Sequence, residues 1–134
     1  MTDIDDYLRA KRATLDRVGP ERLGQAVDAG ALVVDIRPAE SRDSEGAMPG
    51  AIVVDSNVLL WRLAPSSAHR TVDVAPGQTV IVFCNDGYAS SIAACELREV
   101  GVEGATDLVG GYRGWKRFQT DPTYTVNDDP TGET

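Results

Sequence analysis

The segment Val80-Ile-Val-Phe-Cys84-Asn-Asp-Gly87-Tyr-Ala-Ser90-Ser91 holds the residues with the most chemical potential. An apolar run delivers a cysteine to a short polar loop, and the loop opens onto a helical pattern. In open α/β sheets ligands bind in the crevice at the carboxyl ends of the strands, and Cys84 falls at that edge. If Asn85, Asp86, Gly87, Tyr88, Ala89 and Ser90 wrap around the sulfur, successive backbone N–H groups point inward and form an anion-binding nest. The positive end of the following helix adds to it. Such a cradle stabilises a thiolate and equally a persulfide. A ring that tight requires a residue tolerant of positive φ, which Gly87 supplies. Ser90 and Ser91 are placed to cap the helix and to donate hydroxyls toward the same sulfur. Tyr88 reads as a lid on the loop, not as a general acid.

Other reactive side chains read as structural. Cys95 sits about 200° around the helix from Ala93 and roughly 9 Å above the helix start, whereas a disulfide wants Cα atoms within about 7 Å. It is expected to be a small packed residue. The single histidine, His69, lies in a polar Ser-Ser-Ala-His-Arg loop with no second histidine or cysteine nearby, so no metal set is expected. Arg9, Lys11, Arg12 and Arg17, balanced by Asp3, Asp5, Asp6 and Asp16, read as a solvated helix face.

The elements that must position Cys84 follow from periodicity. Asp3 to about Arg17 patterns as a helix with Ile4, Tyr7, Leu8, Leu15 and Val18 near one face. Residues 1–17 are thus expected to be a helical extension docked on a domain of residues 18–119. Gly19-Pro20 starts a short helix that Gly30 ends. Ala31–Ile36 is a continuous apolar run of the kind found in parallel strands covered on both faces. Arg37–Gly46 is a polar stretch, Ala51–Val54 a second strand, Thr79–Phe83 a third and Ala105–Val109 a fourth. Ser90–Val100 is helical, with Ala93, Leu97 and Val100 toward the sheet. Tyr112–Phe118 forms a last helix whose Trp115 and Phe118 pack inward. The expected fold class is α/β, with a mostly parallel sheet of about five strands and helices on both faces. Residues 120–134, with two prolines and four acids, read as a flexible acidic tail.

Composition limits the partners. A chain of 134 residues with 42% apolar and 25% charged residues suits one globular domain that needs no disulfides. A net charge of −8 argues against nucleic acid. No apolar run approaches the roughly 20 residues that span a bilayer, so no membrane partner is expected. The start lacks a signal peptide's basic and apolar regions, and the cytoplasm, where thiols stay free, is the expected compartment.

The cysteine loop resembles the active-site loop of rhodaneses, a cysteine followed by five residues with a glycine among them and a serine just after the ring. Three more segments agree in order. Val34-Asp35-Ile36-Arg37 is similar to the family's Asp-Val-Arg strand end and Met48-Pro49-Gly50-Ala51 to its His-Ile-Pro-Gly-Ala. Leu108-Val-Gly110-Gly111-Tyr-Arg-Gly-Trp115 is similar to its terminal Leu-x-Gly-Gly-x-x-x-Trp. The resemblance implies a sulfurtransferase with Cys84 as nucleophile, taking sulfane sulfur from thiosulfate or a persulfide and passing it to a thiol or cyanide. It implies no metal and no organic cofactor. Asp35 and Arg37 become supporting residues, Arg37 ordering its loop by pairing with Glu40 or Glu45. Asn85 and Ala89 stand where many rhodaneses carry arginines that would grip an anionic donor. Arg62, Arg70 or Arg113 is then expected to bring the positive charge. Two alternatives stay open. One is a non-catalytic binding module on the same fold. The other is a phosphatase or arsenate reductase, whose Cys-x5-Arg loop is one residue longer and ends in an arginine absent here.

Overall fold

A computed structural model of the chain describes residues 1–128. The elements run α1 (Ile4–Arg12), α2 (Pro20–Asp28), β1 (Leu32–Asp35), α3 (Ala39–Glu45), β2 (Ile52–Val53), a 3-10 turn (Ser56–Val58), α4 (Leu59–Leu63), β3 (Val80–Phe83), α5 (Ala89–Glu99), β4 (Ala105–Asp107) and α6 (Gly111–Thr120). The strands form one parallel sheet in the order β2-β1-β3-β4. About five strands were expected, and four form ladders. The outer position beyond β4 is filled by a single parallel bridge, Val18 to Leu108, because Gly19-Pro20 turns the chain into α2 before a ladder can grow.

β3 lies in the middle and every one of its residues is fully buried. Alternation along a strand sends neighbours to opposite faces. Val80 and Val82 join Val34, Leu63, Ala94 and Leu97 in one core, on the side of α4 and α5. Ile81 and Phe83 join Val33, Leu23, Met48 and Tyr112 in the other, on the side of α2 and α6. A strand buried on both faces is well fixed, and Cys84 follows directly from its end.

Several local expectations shift. α1 stops at Arg12 and buries only Leu8, while Ile4 is 73% exposed. Leu15 and Val18 reach the two cores from the extended chain beyond α1. Val100 lies past the end of α5 and is partly exposed, and Ala94 takes the sheet-facing place assigned to it. The polar stretch after β1 contains α3, a helix without one buried residue. The segment after α6, read as part of a flexible tail, makes contacts through Asp128. Val126 lies against Gly110 and Gly114, and Asp128 accepts from Arg12 and Arg17. The remainder of that segment, 129–134, lies outside the described residues. Among the described residues no helix is long and apolar enough to cross a membrane.

Candidate active site

Cys84 leaves β3 at its carboxyl end and is partly exposed. Its Sγ accepts from the Gly87 N–H at 3.2 Å and lies 3.4 Å from the Ser90 Oγ. Among the described residues that is the loop amide within hydrogen-bond reach of the sulfur. The backbone bends this sharply through Gly87, at φ +88°, where a Cβ would stand 3.0 Å from the Gly110 amide nitrogen and 3.1 Å from that of Gly111. Glycine is therefore required twice, for its dihedral angle and for the close approach of the double glycine.

That double glycine is what seats the loop. Gly110 turns the chain, and α6 begins with its amides aimed at the loop's carbonyls. The Tyr112 N–H donates to the Cys84 carbonyl at 2.9 Å and the Arg113 N–H to the Asn85 carbonyl at 3.1 Å. Amides that a helix start leaves without partners thus fix the backbone around the cysteine.

Asp35 and Arg37 stand behind this arrangement. Both are buried, and Arg37 Nη2 donates to Asp35 Oδ2 at 2.8 Å and to the Gly46 carbonyl at 2.9 Å. The expected partners Glu40 and Glu45 are not taken, because Asp35 lies two residues back on the same strand end and shares its burial. The guanidinium also stacks 3.9 Å from the centre of the Tyr112 ring, tying the end of β1 to the start of α6. Trp115 packs beside Tyr112 at 5.6 Å between ring centres.

The charged candidates divide. Arg113 reaches the loop, yet its guanidinium pairs with Asp86 at 2.8 Å and with both Glu45 oxygens at 2.9 Å. These bonds raise Arg113 above its ordinary pKa, and the Arg113 bond holds the Glu45 carboxyl below its own. Arg62 donates to the His69 carbonyl, and Arg70 to the Pro65 carbonyl and Asp73. Their hydrogen bonds thus tie them to their own segment, Pro65 to Asp73, and not to the cysteine loop. Asn85 donates to Ser41 Oγ at 3.3 Å, and its buried Oδ1 has no hydrogen-bond partner among the described residues. Tyr88 is 49% exposed at the start of α5, beside an apolar cleft of about 370 Å³ lined by Ile4, Tyr7, Leu8 and Ile92.

Ser90 and Ser91 do neither of the things expected of them. Tyr88 occupies the N-cap without a side-chain cap, and both serines are fully buried one and two residues beyond the start of α5. Their hydroxyls donate to Asp107 Oδ2, each at 2.8 Å, so the Ser90 oxygen faces the sulfur as an acceptor. Asp107, at the end of β4, is a site residue that sequence reasoning passed over. Its signal was a carboxylate in a strand otherwise expected to be buried, a place that demands a cation.

That cation is Arg17, which with Arg12 overturns the reading of a solvated helix face. Both side chains are 9% exposed. Arg17 Nε donates to Asp107 Oδ1 at 2.7 Å, and Arg17 Nη1 pairs with Asp128. Arg12 Nη2 donates to the Gly87 carbonyl at 2.8 Å and Arg12 Nε to Ser91 Oγ at 3.2 Å. Burial and the nearby Arg17 lower the pKa of Arg12. Burial works the same way on Arg17, but its hydrogen bond and charge contact with Asp107 outweigh it and raise the value. Cys95 packs under α1, its Sγ 3.4 Å from the Lys11 carbonyl.

Known proteins resemble the chain along most of this frame. A family model described as rhodanese-like domain matches residues 19–118. The thiosulfate sulfurtransferase GlpE of Pseudomonas paraeruginosa is 29% identical over 112 residues, which cover 84% of this chain and 94% of that one. The adenylyltransferase and sulfurtransferase MOCS3-1 of Zea mays is 30% identical over 71% of this chain, which spans 20% of that protein's length. A similar relative from Ogataea parapolymorpha is matched over 26% of its length. Among solved structures, a Rhodopseudomonas palustris protein of unknown function, described as a possible tyrosine phosphatase, matches with a TM-score of 0.75 at 18% identity. It covers 89% of this chain and 92% of that one. The human single-domain sulfurtransferase TSTD1 matches with a TM-score of 0.62 at 24% identity, over 75% and 95% of the two chains. At such identities these two likenesses show the fold alone. With its family model reaching from the start of α2 into the last turn of α6, the chain belongs to the rhodanese-like domain family.

Proposed function

We propose that this protein is a sulfurtransferase whose Cys84 carries sulfane sulfur as a persulfide. The observation that carries the reading is a partly exposed Cys84 just beyond the carboxyl end of the central strand, its Sγ receiving the Gly87 N–H at 3.2 Å. The family membership and the similarity to a named thiosulfate sulfurtransferase support it.

In the proposed cycle the Cys84 thiolate attacks the outer sulfur of thiosulfate, or of a persulfide donor. A new S–S bond forms on Cys84 while the donor's S–S bond breaks, and sulfite or a thiolate departs with the bonding electron pair. An acceptor thiolate then attacks the outer sulfur, forms its own persulfide and returns Cys84 as a thiolate; cyanide as acceptor gives thiocyanate. Sulfur and charge balance across both halves without an external oxidant. Within the protein, the Gly87 amide holds the negative sulfur, and α6 keeps the loop carbonyls turned away from it. A reducing compartment such as the cytoplasm would keep the thiol free.

Incubation with thiosulfate or a persulfide donor, followed by mass spectrometry, tests the reading. The wild-type protein is expected to gain one sulfur atom on Cys84 and lose it to a thiol, and Cys84→Ser to gain none. An unmodified wild-type protein with every donor would leave the fold as a binding module. Phosphate-ester hydrolysis abolished by Cys84→Ser would make the protein a phosphatase.

A further inference from the structure

The Gly87 carbonyl has an unusual surrounding. It accepts from Arg12 Nη2 at 2.8 Å and from Arg17 Nη2 at 3.3 Å. A neutral carbonyl with two lone pairs thus faces two guanidinium groups that are almost removed from water. They are kept in place by anions of their own, Asp107 in the sheet and Asp128 after α6, so two cations meet two carboxylates. Such a cluster avoids the cost of an uncompensated buried charge. Asp86 does not enter it, since its carboxylate pairs with Arg113 on the outer side of the loop.

The same residue, Gly87, presents its N–H to Cys84 Sγ. No peptide bond among the described residues is cis, so the Gly87–Tyr88 peptide holds its C=O and N–H antiparallel. Pinning the carbonyl toward the arginines therefore turns the Tyr88 N–H away from them. The N–H that meets the sulfur lies in the preceding peptide, one Cα away, so fixing the Gly87 carbonyl fixes the backbone on which that donor is mounted. Asn85 and Ala89 leave the loop itself without a guanidinium.

We propose that Arg12 and Arg17 are positioning residues for the sulfur site: gripping the Gly87 carbonyl from behind, they hold the loop backbone so that the Gly87 N–H meets Cys84 Sγ. The proposal rests on the sulfurtransferase reading for its kinetic consequence, while its effect on the thiol can be read without sulfur transfer.

Two measurements on wild type, Arg12→Gln and Arg12→Lys separate it from a merely structural role. In steady-state transfer from thiosulfate, Arg12→Gln is expected to lose about tenfold in kcat/KM, mostly in kcat, and Arg12→Lys to regain most of it at a similar Tm; removal of a direct anion-binding donor costs roughly a hundredfold or more, and an indirect one less. In alkylation by iodoacetamide, with the modified peptide located by mass spectrometry, Cys84 is expected to react about tenfold more slowly in Arg12→Gln and near the wild-type rate in Arg12→Lys. A folded Arg12→Gln protein with wild-type values in both assays overturns the proposal. Should Arg12→Gln not fold, Asp128→Asn releases the outer end of both guanidinium groups; a loss of about threefold is expected and an unchanged kcat/KM overturns it. If the wild-type protein takes up no sulfur while alkylation still slows in Arg12→Gln, the sulfurtransferase reading fails and the positioning role stands.

Discussion

Gly87 and Asp107 show how much of the candidate site rests on single residues besides Cys84. At Gly87 a methyl group meets both a φ of +88° and the Gly110 amide at 3.0 Å. Gly87→Ala is expected to destabilise the protein by about 2 kcal/mol and to slow sulfur loading of Cys84 in the same preparation, as measured by urea unfolding and by mass spectrometry. Asp107 is fully buried and accepts from Ser90, Ser91 and Arg17. Asp107→Asn leaves Arg17 with a neutral partner in a dry place, for which a loss of roughly 3 kcal/mol is expected from urea midpoints. Equal stability of wild type and Asp107→Asn would show that Asp128 alone suffices for Arg17. At this scale the sequence places Cys84, Gly87 and the serines in one loop because they are neighbours in the chain, but not the bonds the serines make to Asp107. Arg12, Arg17 and Asp107 were not legible as site residues. Their partners lie many tens of residues away, and a charge on an amphipathic helix looks alike whether it meets water or a buried carboxylate.

Among the elements, α6 serves the site most directly. Its first amides hold the Cys84 and Asn85 carbonyls, and its Arg113 links the loop to α3 through Asp86 and Glu45. The Arg113 hydrogen bond lowers the Glu45 pKa from a model-peptide value of 4.5, so the pair stabilises the fold above that pH and is lost as pH falls through the lowered folded value. The denaturant midpoints of wild type and Glu45→Gln are therefore expected to differ by a constant amount near neutrality and to converge below about pH 4.5. A gap that persists unchanged into acid would mean that Glu45 acts through packing. The strands were readable as elements because apolar runs between turn residues leave few alternatives. α3 was not, since Ala39–Glu45 buries nothing and so carries no apolar period. Arg37 was placed correctly on its strand end but given the wrong partner, because Asp35 reads as part of an apolar run until its burial is seen.

Across the whole molecule the two ends of the described chain converge behind the cysteine loop, α1 through Arg12 and the segment after α6 through Asp128. A short domain with a four-stranded sheet thereby covers the back of its site with segments that flank the family's span of residues 19–118. The sheet and the order of its motifs could be read from the sequence, whereas this closure could not, because the apolar face of the first helix announces that it docks but not where, and the segment after α6 has few apolar residues. One consequence lies in the second thiol. Cys95 is only 7% exposed and sits beneath α1, its Sγ 3.5 Å from Thr14 Oγ1, while Cys84 is partly exposed. A thiol reagent should consume the two cysteines in separate phases, and the slow phase becomes a clock for how often the first helix peels away. A substitution at Leu8 that loosens α1 would be expected to speed that clock several-fold without unfolding the sheet, so the protein carries its own reporter of the door behind its sulfur.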